Sequence, residues 1–269
     1  MIKKYIAGNS IKCVLNISKE VMKINKIPVI NYAIEESYNS LNTFNEYKEL
    51  NNKIDNRYRV ALKLSSFNFD EVIIDDIIDM YKEKGIKILI DAESNELNNK
   101  YHSLTNKLIQ KHNKNDFNII KTYQMYRKDS LNILNNDMIN FKDIYLGTKL
   151  VRGAYWNSEN KLGHLYISKC DTDNNYNKGI LTLYESDNKL LNILATHNNE
   201  SINFGYLLNN NSTNFEFGHL MGMKENKYKN LLNKNQKINV YIPYGPYNKM
   251  LPYLFRRFYE NIDTIKYMF

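Results

Sequence analysis

The stretch YRVALKLSSFNFDEVIIDDIIDMYKEKGIKILIDA, residues 58–92, decides the fold of this chain. Two short runs rich in Val, Ile and Leu, at 58–64 and 86–92, are typical of buried strands. Between them, residues 70–85 carry apolar side chains at helical spacing and end on a glycine. A strand, a helix and a second strand in this order predict parallel pairing, because a helical crossover is what joins parallel neighbours.

The same alternation runs along the whole chain. Strands are predicted at 27–33, 58–64, 86–92, 117–123, 147–153, 191–197, 214–220 and 238–243. Eight strands separated by helical stretches indicate an α/β protein, and 269 residues suit a TIM-like (βα)8 barrel. An open, doubly wound parallel sheet is the structural alternative. Nothing resembles a linker, so we expect one domain over residues 1–269.

Composition and short motifs narrow the classes of function. The net charge of +8 is spread along the sequence without a nucleic-acid motif, so we interpret it as a solvated surface and expect no nucleic-acid partner. Cys13 and Cys170 form no CxxC and no HExxH is present, so no metal site is predicted. Neither GxGxxG nor GxxxxGK[ST] occurs, which argues against a Rossmann site and a P-loop. There is no clear targeting segment, and no apolar run reaches the roughly 18 residues of a membrane span.

Polar residues collect where the predicted strands end. Asp91, Gln124, Arg152 and Tyr241 lie at or near such ends, as does the triplet 196–198. In a barrel, the carboxyl ends of the strands carry the active site. The triplet has two interpretations, a ligand contact or the start of a turn.

Two charged groups also leave two interpretations open. Lys63 and Asp91 end adjacent strands, where they compensate each other's charge either in a binding site or as a structural ion pair. Arg256, Arg257 and Glu260 share the last helical stretch. Paired guanidinium groups suit a carboxylate ligand, but the same pattern is typical of a surface salt-bridge cluster.

Seven segments, taken in order, resemble the proline dehydrogenase family. They are VALKLSS (60–66), ILIDAE (88–93), TYQMY (122–126), KLVRGAYWNSE (149–159), ATHN (195–198), FGHLMGM (217–223) and YIPYGPYNKMLPYLFRRFYEN (241–261). The resemblance runs from about Tyr5 to Asn261. It implies a distorted (βα)8 barrel that carries FAD at its mouth without a Rossmann domain, with the final helix over that mouth.

The resemblance also implies roles for individual residues. The proline carboxylate would be bound by Lys63, Arg256 and Arg257. The ring would be enclosed by Leu150, Tyr155 and Tyr241, with Asp91 supporting Tyr241 and Lys63, Glu260 orienting the charged cluster, and Glu35 pairing with Arg256 as a gate. FAD would be held by Gln124 near the flavin ring, by Lys149, Val151, Gly153, Trp156, Thr196, His197 and Asn198, and by Ser168 and Lys169 near the adenine half.

Four positions depart from the family pattern. Lys149 stands where many bacterial members have Arg, which keeps the charge but changes the hydrogen-bond geometry. His219 and Met221 differ from the commoner residues of strand seven, and Asn31 replaces a frequent Asp. None of these changes removes an expected catalytic group.

The chemistry implied by the resemblance is hydride transfer from L-proline to the flavin, giving pyrroline-5-carboxylate. Electrons would pass to a quinone, which is compatible with peripheral membrane association, at the mitochondrial inner membrane if the chain is eukaryotic and cytoplasmic or peripheral to the membrane otherwise. Two alternatives stay open. A hydroxyproline dehydrogenase shares these motifs, although Tyr241 argues against it because relatives that prefer hydroxyproline have a smaller residue there. A barrel without activity would serve as a binding or regulatory module.

Overall fold

The predicted barrel is present in a computed structural model that describes residues 4–34, 40–187, 189–209 and 215–250, with only the backbone of Asn157. The strands are β1 (Ile27–Tyr32), β2 (Arg59–Leu62), β3 (Lys87–Ile90), β4 (Ile119–Gln124), β5 (Leu146–Val151), β6 (Leu190–Ala195), β7 (Phe215–Leu220) and β8 (Ile238–Tyr244). All pair in parallel with their sequence neighbours, and β1 pairs with β8 to close the barrel. Each strand overlaps its predicted segment, so the (βα)8 prediction is confirmed and the open sheet is excluded.

Helices surround the barrel and connect its strands. They are α1 (Ile11–Lys23), α2 (Ser40–Lys53), α3 (Glu71–Lys82), α4 (Asn98–His112), α5 (Ser130–Asn140), α6 (Trp156–Glu159), α7 (Lys169–Tyr184), α8 (Asn199–Leu208) and α9 (Glu225–Leu232), with 3-10 turns at Leu64–Phe67 and Asn95–Leu97. Where the sequence predicts the helix after β2, Asp70 caps the start of α3, and its carboxylate accepts from the backbone amides of Val72 and Ile73. Among the described helices, none has the length and hydrophobicity to span a bilayer.

Alternating strand side chains divide the core into two layers. The barrel interior is a compact apolar cluster that includes Val29, Ala61, Leu89, Ile120 and Ile193. A larger cluster fills the space between the barrel wall and the helices. Inward and outward positions therefore alternate along each strand, which decides which side chains reach the barrel mouth.

The amino-terminal end of the barrel is closed by a buried polar cluster. The guanidinium of Arg59 donates to Glu216 at 2.5 Å and 3.0 Å and to the side-chain oxygen of Asn239 at 2.7 Å. Asn239 in turn donates to Glu216 at 2.8 Å. The buried charges are therefore compensated and hydrogen-bonded, as burial requires.

Candidate active site at the barrel mouth

Three inward-facing side chains from three strands meet at the carboxyl end of the barrel. Lys149 lies in β5, Asp91 directly after β3, and Tyr241 in β8. The Lys149 ammonium donates to Asp91 Oδ1, and it donates to the Tyr241 hydroxyl at 2.5 Å. The Tyr241 hydroxyl donates to the same Asp91 oxygen at 3.2 Å. The ammonium also lies 4.6 Å from the centre of the Tyr241 ring. The strand order thus brings together residues separated by as many as 150 positions.

Burial controls the protonation of this cluster. Burial lowers the pKa of Lys149, although the charge of Asp91 and its hydrogen bond act in the opposite direction. Burial and the negative charge of Asp91 raise the pKa of Tyr241 well above its ordinary value. Tyr241 is therefore a neutral phenol near neutral pH, with its hydroxyl fixed between a cation and a carboxylate.

Lys63 stands beside this cluster, directly after β2, and is half-buried. Its positive charge helps to lower the pKa of Lys149. The same charge partly offsets the rise that burial causes in the pKa of Glu93. The ammonium that contacts Asp91 is that of Lys149. The direct compensation of Asp91 that we expected from Lys63 therefore comes from Lys149, which was predicted to bind the cofactor.

Gln124, at the end of β4, carries an unused hydrogen-bond acceptor. Its side-chain amide donates to the backbone carbonyl of Glu93 at 3.0 Å. Its side-chain oxygen is buried and has no hydrogen-bond partner among the described residues. A buried acceptor without a donor is costly in a finished site. The chemistry of this group fits a ligand that presents an N–H, as a flavin ring does.

A second polar cluster lies after the ends of β5 and β6, at the amino-terminal ends of α7 and α8. Arg152, just after β5, donates to the Thr196 hydroxyl, to Asp173 at 2.8 Å and to Ser201 at 3.0 Å. Asn198 caps α8 through the Ser201 amide, at 3.0 Å, and donates to Asp173 at 3.1 Å. Two helix amino termini and a guanidinium therefore meet here, an arrangement that suits an anionic group.

Ser168 and Lys169 begin α7 at the same cluster. The Ser168 hydroxyl accepts from the backbone amide of Asp171 at 3.0 Å, which makes it the cap of the helix. Lys169 donates to Asp173 at 2.7 Å. Burial raises the pKa of Asp173, but the hydrogen bonds from Lys169 and Arg152 outweigh it and hold that pKa below its usual range. Asp173 is thus an ionised partner for the cations of this cluster.

The segment after β5 forms an arch over Tyr126. Gly153 has φ +137°, and a Cβ at this position would lie 2.4 Å from the Tyr126 ring. The Tyr126 hydroxyl donates to the buried carboxylate of Glu159 at 3.1 Å. Tyr155 and Trp156, which follow in the arch, are both half-buried. Only glycine allows this close approach, which fixes where the two aromatic residues stand.

The predicted role of Leu150 is wrong. We expected its side chain against the substrate ring, yet it is fully buried outside the barrel wall. Its Cδ1 lies 3.2 Å from the place a Cβ would take at Gly179 in α7. The reason is strand alternation: because Lys149 points inward, Leu150 points outward. Val151, on the inward face, is half-buried.

His197, after β6, connects two strand ends. Its Nε2 accepts from the backbone amide of Leu220 at 3.5 Å, and its side chain is half-buried. The predicted residues Glu35, Arg256, Arg257 and Glu260, and with them the final helix, lie outside the described residues.

The structure also shows functional candidates that the sequence reading missed. Glu93 lies two residues after Asp91, three residues after the end of β3, a signal visible in the sequence. Asp173 and Glu159 gave no such signal, because their contacts depend on how helices pack on the barrel.

Comparison with known proteins identifies the family. The family model described as "Proline dehydrogenase" matches residues 6–268. "Proline dehydrogenase 1, mitochondrial" of Dictyostelium discoideum is 34% identical over 212 residues, 70% of this chain and 36% of the relative. "Hydroxyproline dehydrogenase" of Xenopus laevis is 31% identical over 200 residues, 67% of this chain and 42% of the relative.

Solved structures agree on the fold. Proline utilization A (PutA) from Bdellovibrio bacteriovorus, inactivated by N-propargylglycine, superposes with a TM-score of 0.88 at 20% identity, over 96% of this chain and 32% of that one. The chain spans between about a third and somewhat over half of the curated relatives that it matches. By the extent of the family match and the identity to its relatives, the chain belongs to the proline dehydrogenase family.

Proposed function

We propose that this protein oxidises L-proline to pyrroline-5-carboxylate with noncovalently bound FAD. The observation that carries the proposal is the contact of Asp91, Lys149 and Tyr241 at the mouth of a barrel of this family. It supplies a fixed aromatic face, a fixed hydroxyl and buried charge beside Lys63. A small zwitterion with an apolar ring needs these features together.

The substrate would be held at two ends. Lys63, half-buried at the mouth, would bind the carboxylate together with Arg256 and Arg257. Tyr241 and Tyr155 would enclose the ring. Because Tyr241 stays neutral and its hydroxyl is tied to Asp91, its ring cannot turn away without breaking that contact. The residues of this chain therefore bind and orient the substrate, which is the protein's main contribution in cofactor enzymes.

The described residues fit a flavin in two places. The unpaired oxygen of Gln124 suits an N–H of the ring, and the cluster of Arg152, Thr196 and Asn198 suits the phosphates. The cofactor set we propose is Gln124, Lys149, Val151, Gly153, Trp156, Thr196, His197 and Asn198, with Ser168 and Lys169 toward the adenine half. When bound, FAD supplies the acceptor for the hydride that leaves the ring carbon beside the proline nitrogen.

The electron acceptor we propose is a quinone, reached by peripheral association with a membrane. Several relatives are named as mitochondrial, including those of Dictyostelium discoideum and Caenorhabditis elegans. By analogy, we propose the mitochondrial inner membrane as the location if the chain is eukaryotic.

A proline-dependent dye-reduction assay with added FAD tests the proposal. Wild type should reduce the dye with L-proline and much less with trans-4-hydroxyproline. Lys63→Met should lower kcat/KM about 10- to 150-fold, since it removes a charge-assisted contact worth about 1.5–3 kcal/mol. Lys82→Met, at an exposed position at the end of α3, is the matched control and should behave as wild type.

The outcomes separate the alternatives. A preference for hydroxyproline would identify the second candidate activity. FAD-loaded protein that reduces no dye with either substrate would contradict the proposal and favour a binding module.

A further inference from the structure

Glu93 is a buried carboxylate at the barrel mouth that the binding roles above leave unused. It lies three residues after the end of β3 and two residues after Asp91. Its exposed fraction is only 4%. A carboxylate this deeply buried needs a compensating contact. Glu93 makes one contact through its carboxylate and a second through its backbone carbonyl.

The first contact reaches the segment that carries Lys63. Glu93 Oε1 accepts from the backbone amide of Ser65 at 2.9 Å. Ser65 lies in the 3-10 turn Leu64–Phe67, whose first flanking residue is Lys63. That turn receives no side-chain hydrogen bond from Lys63 itself. Glu93 therefore fixes the backbone two residues after the lysine proposed to bind the substrate carboxylate.

The second contact reaches the side chain of Gln124. The backbone carbonyl of Glu93 accepts from Gln124 Nε2 at 3.0 Å, which turns the unpaired oxygen of that amide away from the β3 end. One residue is thus bonded to both the substrate side and the cofactor side of the proposed site.

We infer that Glu93 is a positioning residue for both Lys63 and Gln124. Its side chain is long enough to reach the backbone amide of Ser65, and its backbone carbonyl holds the side-chain amide of Gln124. The inference rests on the proposed function of the site. Burial raises the pKa of the Glu93 carboxyl, while the hydrogen bonds from Ser65 and the charge of Lys63 oppose that rise. The reach of the side chain and its charge are thus separate candidates for the role, and the geometry points to reach, because the carboxylate contacts the backbone amide of Ser65.

Three substitutions separate reach from charge. Glu93→Gln keeps the length and an oxygen acceptor but loses the charge, whereas Glu93→Asp keeps the charge but withdraws the acceptor by one methylene. Glu93→Ala removes both, and Glu96→Ala, exposed three residues later, is the matched control. The measurements are KM and kcat for L-proline in the FAD-loaded enzyme, and hydrogen exchange of the Ser65 amide.

We expect Glu93→Asp and Glu93→Ala to lower kcat/KM about 10- to 100-fold, chiefly through KM, since misplacement near 1 Å can cost about 100-fold. Glu93→Gln should stay within about threefold, the neutral acceptor replacing the carboxylate. Ser65 exchange should be faster in the Asp and Ala variants and near wild type in the Gln variant. If Glu93→Ala does not fold, the Asp and Gln pair still decides the question.

The reverse pattern, with Gln damaging and Asp harmless, would overturn positioning by reach and assign the effect to charge. Variants of Glu93 that match Glu96→Ala in both measurements would also overturn it. Wild type that holds FAD but is not reduced by proline is a separate outcome, because it refutes the proposed function and removes the basis for this inference.

Discussion

Replacing Lys149 with Met would test the buried contact at the barrel mouth. The substitution keeps an unbranched apolar side chain of similar length and removes the ammonium. The side chains of Lys149 and Asp91 are only 4% and 16% exposed, so water cannot fully solvate the carboxylate that remains. Asp91 would keep only the bond from Tyr241 among its contacts described above. Breaking one partner of a buried pair costs about 3–5 kcal/mol, and the partial exposure of Asp91 favours the lower end.

The assay is urea unfolding followed by circular dichroism, on Lys149→Met, Asp91→Asn and the double variant. We expect Lys149→Met to lose about 3 kcal/mol of unfolding free energy, and the double variant to lose at least about 1 kcal/mol less than the sum of the single losses. Lys142→Met, an exposed control just before β5, should change the free energy by less than about 0.5 kcal/mol. Additive single losses below about 1 kcal/mol would refute the buried pair.

Three further predictions follow from the geometry. Gly153→Ala should weaken FAD binding measured by fluorescence titration, since its Cβ would lie 2.4 Å from the Tyr126 ring; unchanged affinity would contradict the arch. Burial lowers the pKa of His219 to about 4, against about 6.5 in the unfolded chain. Because the unfolded chain then binds the proton more readily, the native state loses stability as the pH falls from about 6.5 to about 4. Wild type should lose about 2 kcal/mol more than His219→Gln between pH 7.5 and 5 in urea unfolding, and equal losses would oppose this. Tyr241→Ser should narrow or reverse a proline preference of at least about tenfold over trans-4-hydroxyproline, and an unchanged ratio of kcat/KM would mean that Tyr241 does not line the pocket.

The sequence predicted the barrel well because its strands are short, apolar and regularly separated. The βαβ unit at 58–92 and its repetition left few topologies, and the inward face of β3 already placed Asp91 at the mouth. The alternation of strand side chains also shows, from the sequence alone, that the predicted role of Leu150 is wrong. Residues 149–151 cannot all point inward, and period-two alternation assigns the middle one to the outer layer.

Other features of the site depend on packing between distant elements. The contact of Lys149 with both Asp91 and Tyr241 joins three strands, and only the closed barrel sets how far each side chain reaches. Asp173 lies on α7, and its contacts with Arg152 and Asn198 come from the docking of two helices on the wall. No local pattern in the sequence determines these contacts.

Anaerobic titration of the FAD-loaded protein with L-proline tests the central claim most directly. Flavin absorbance reports electron transfer into the cofactor without any added acceptor, so neither the quinone nor the membrane enters the result. We predict that proline bleaches the oxidised flavin band, and that Lys63→Met needs a markedly higher proline concentration than Lys82→Met. Protein that holds FAD and keeps its full absorbance at saturating proline would contradict the account.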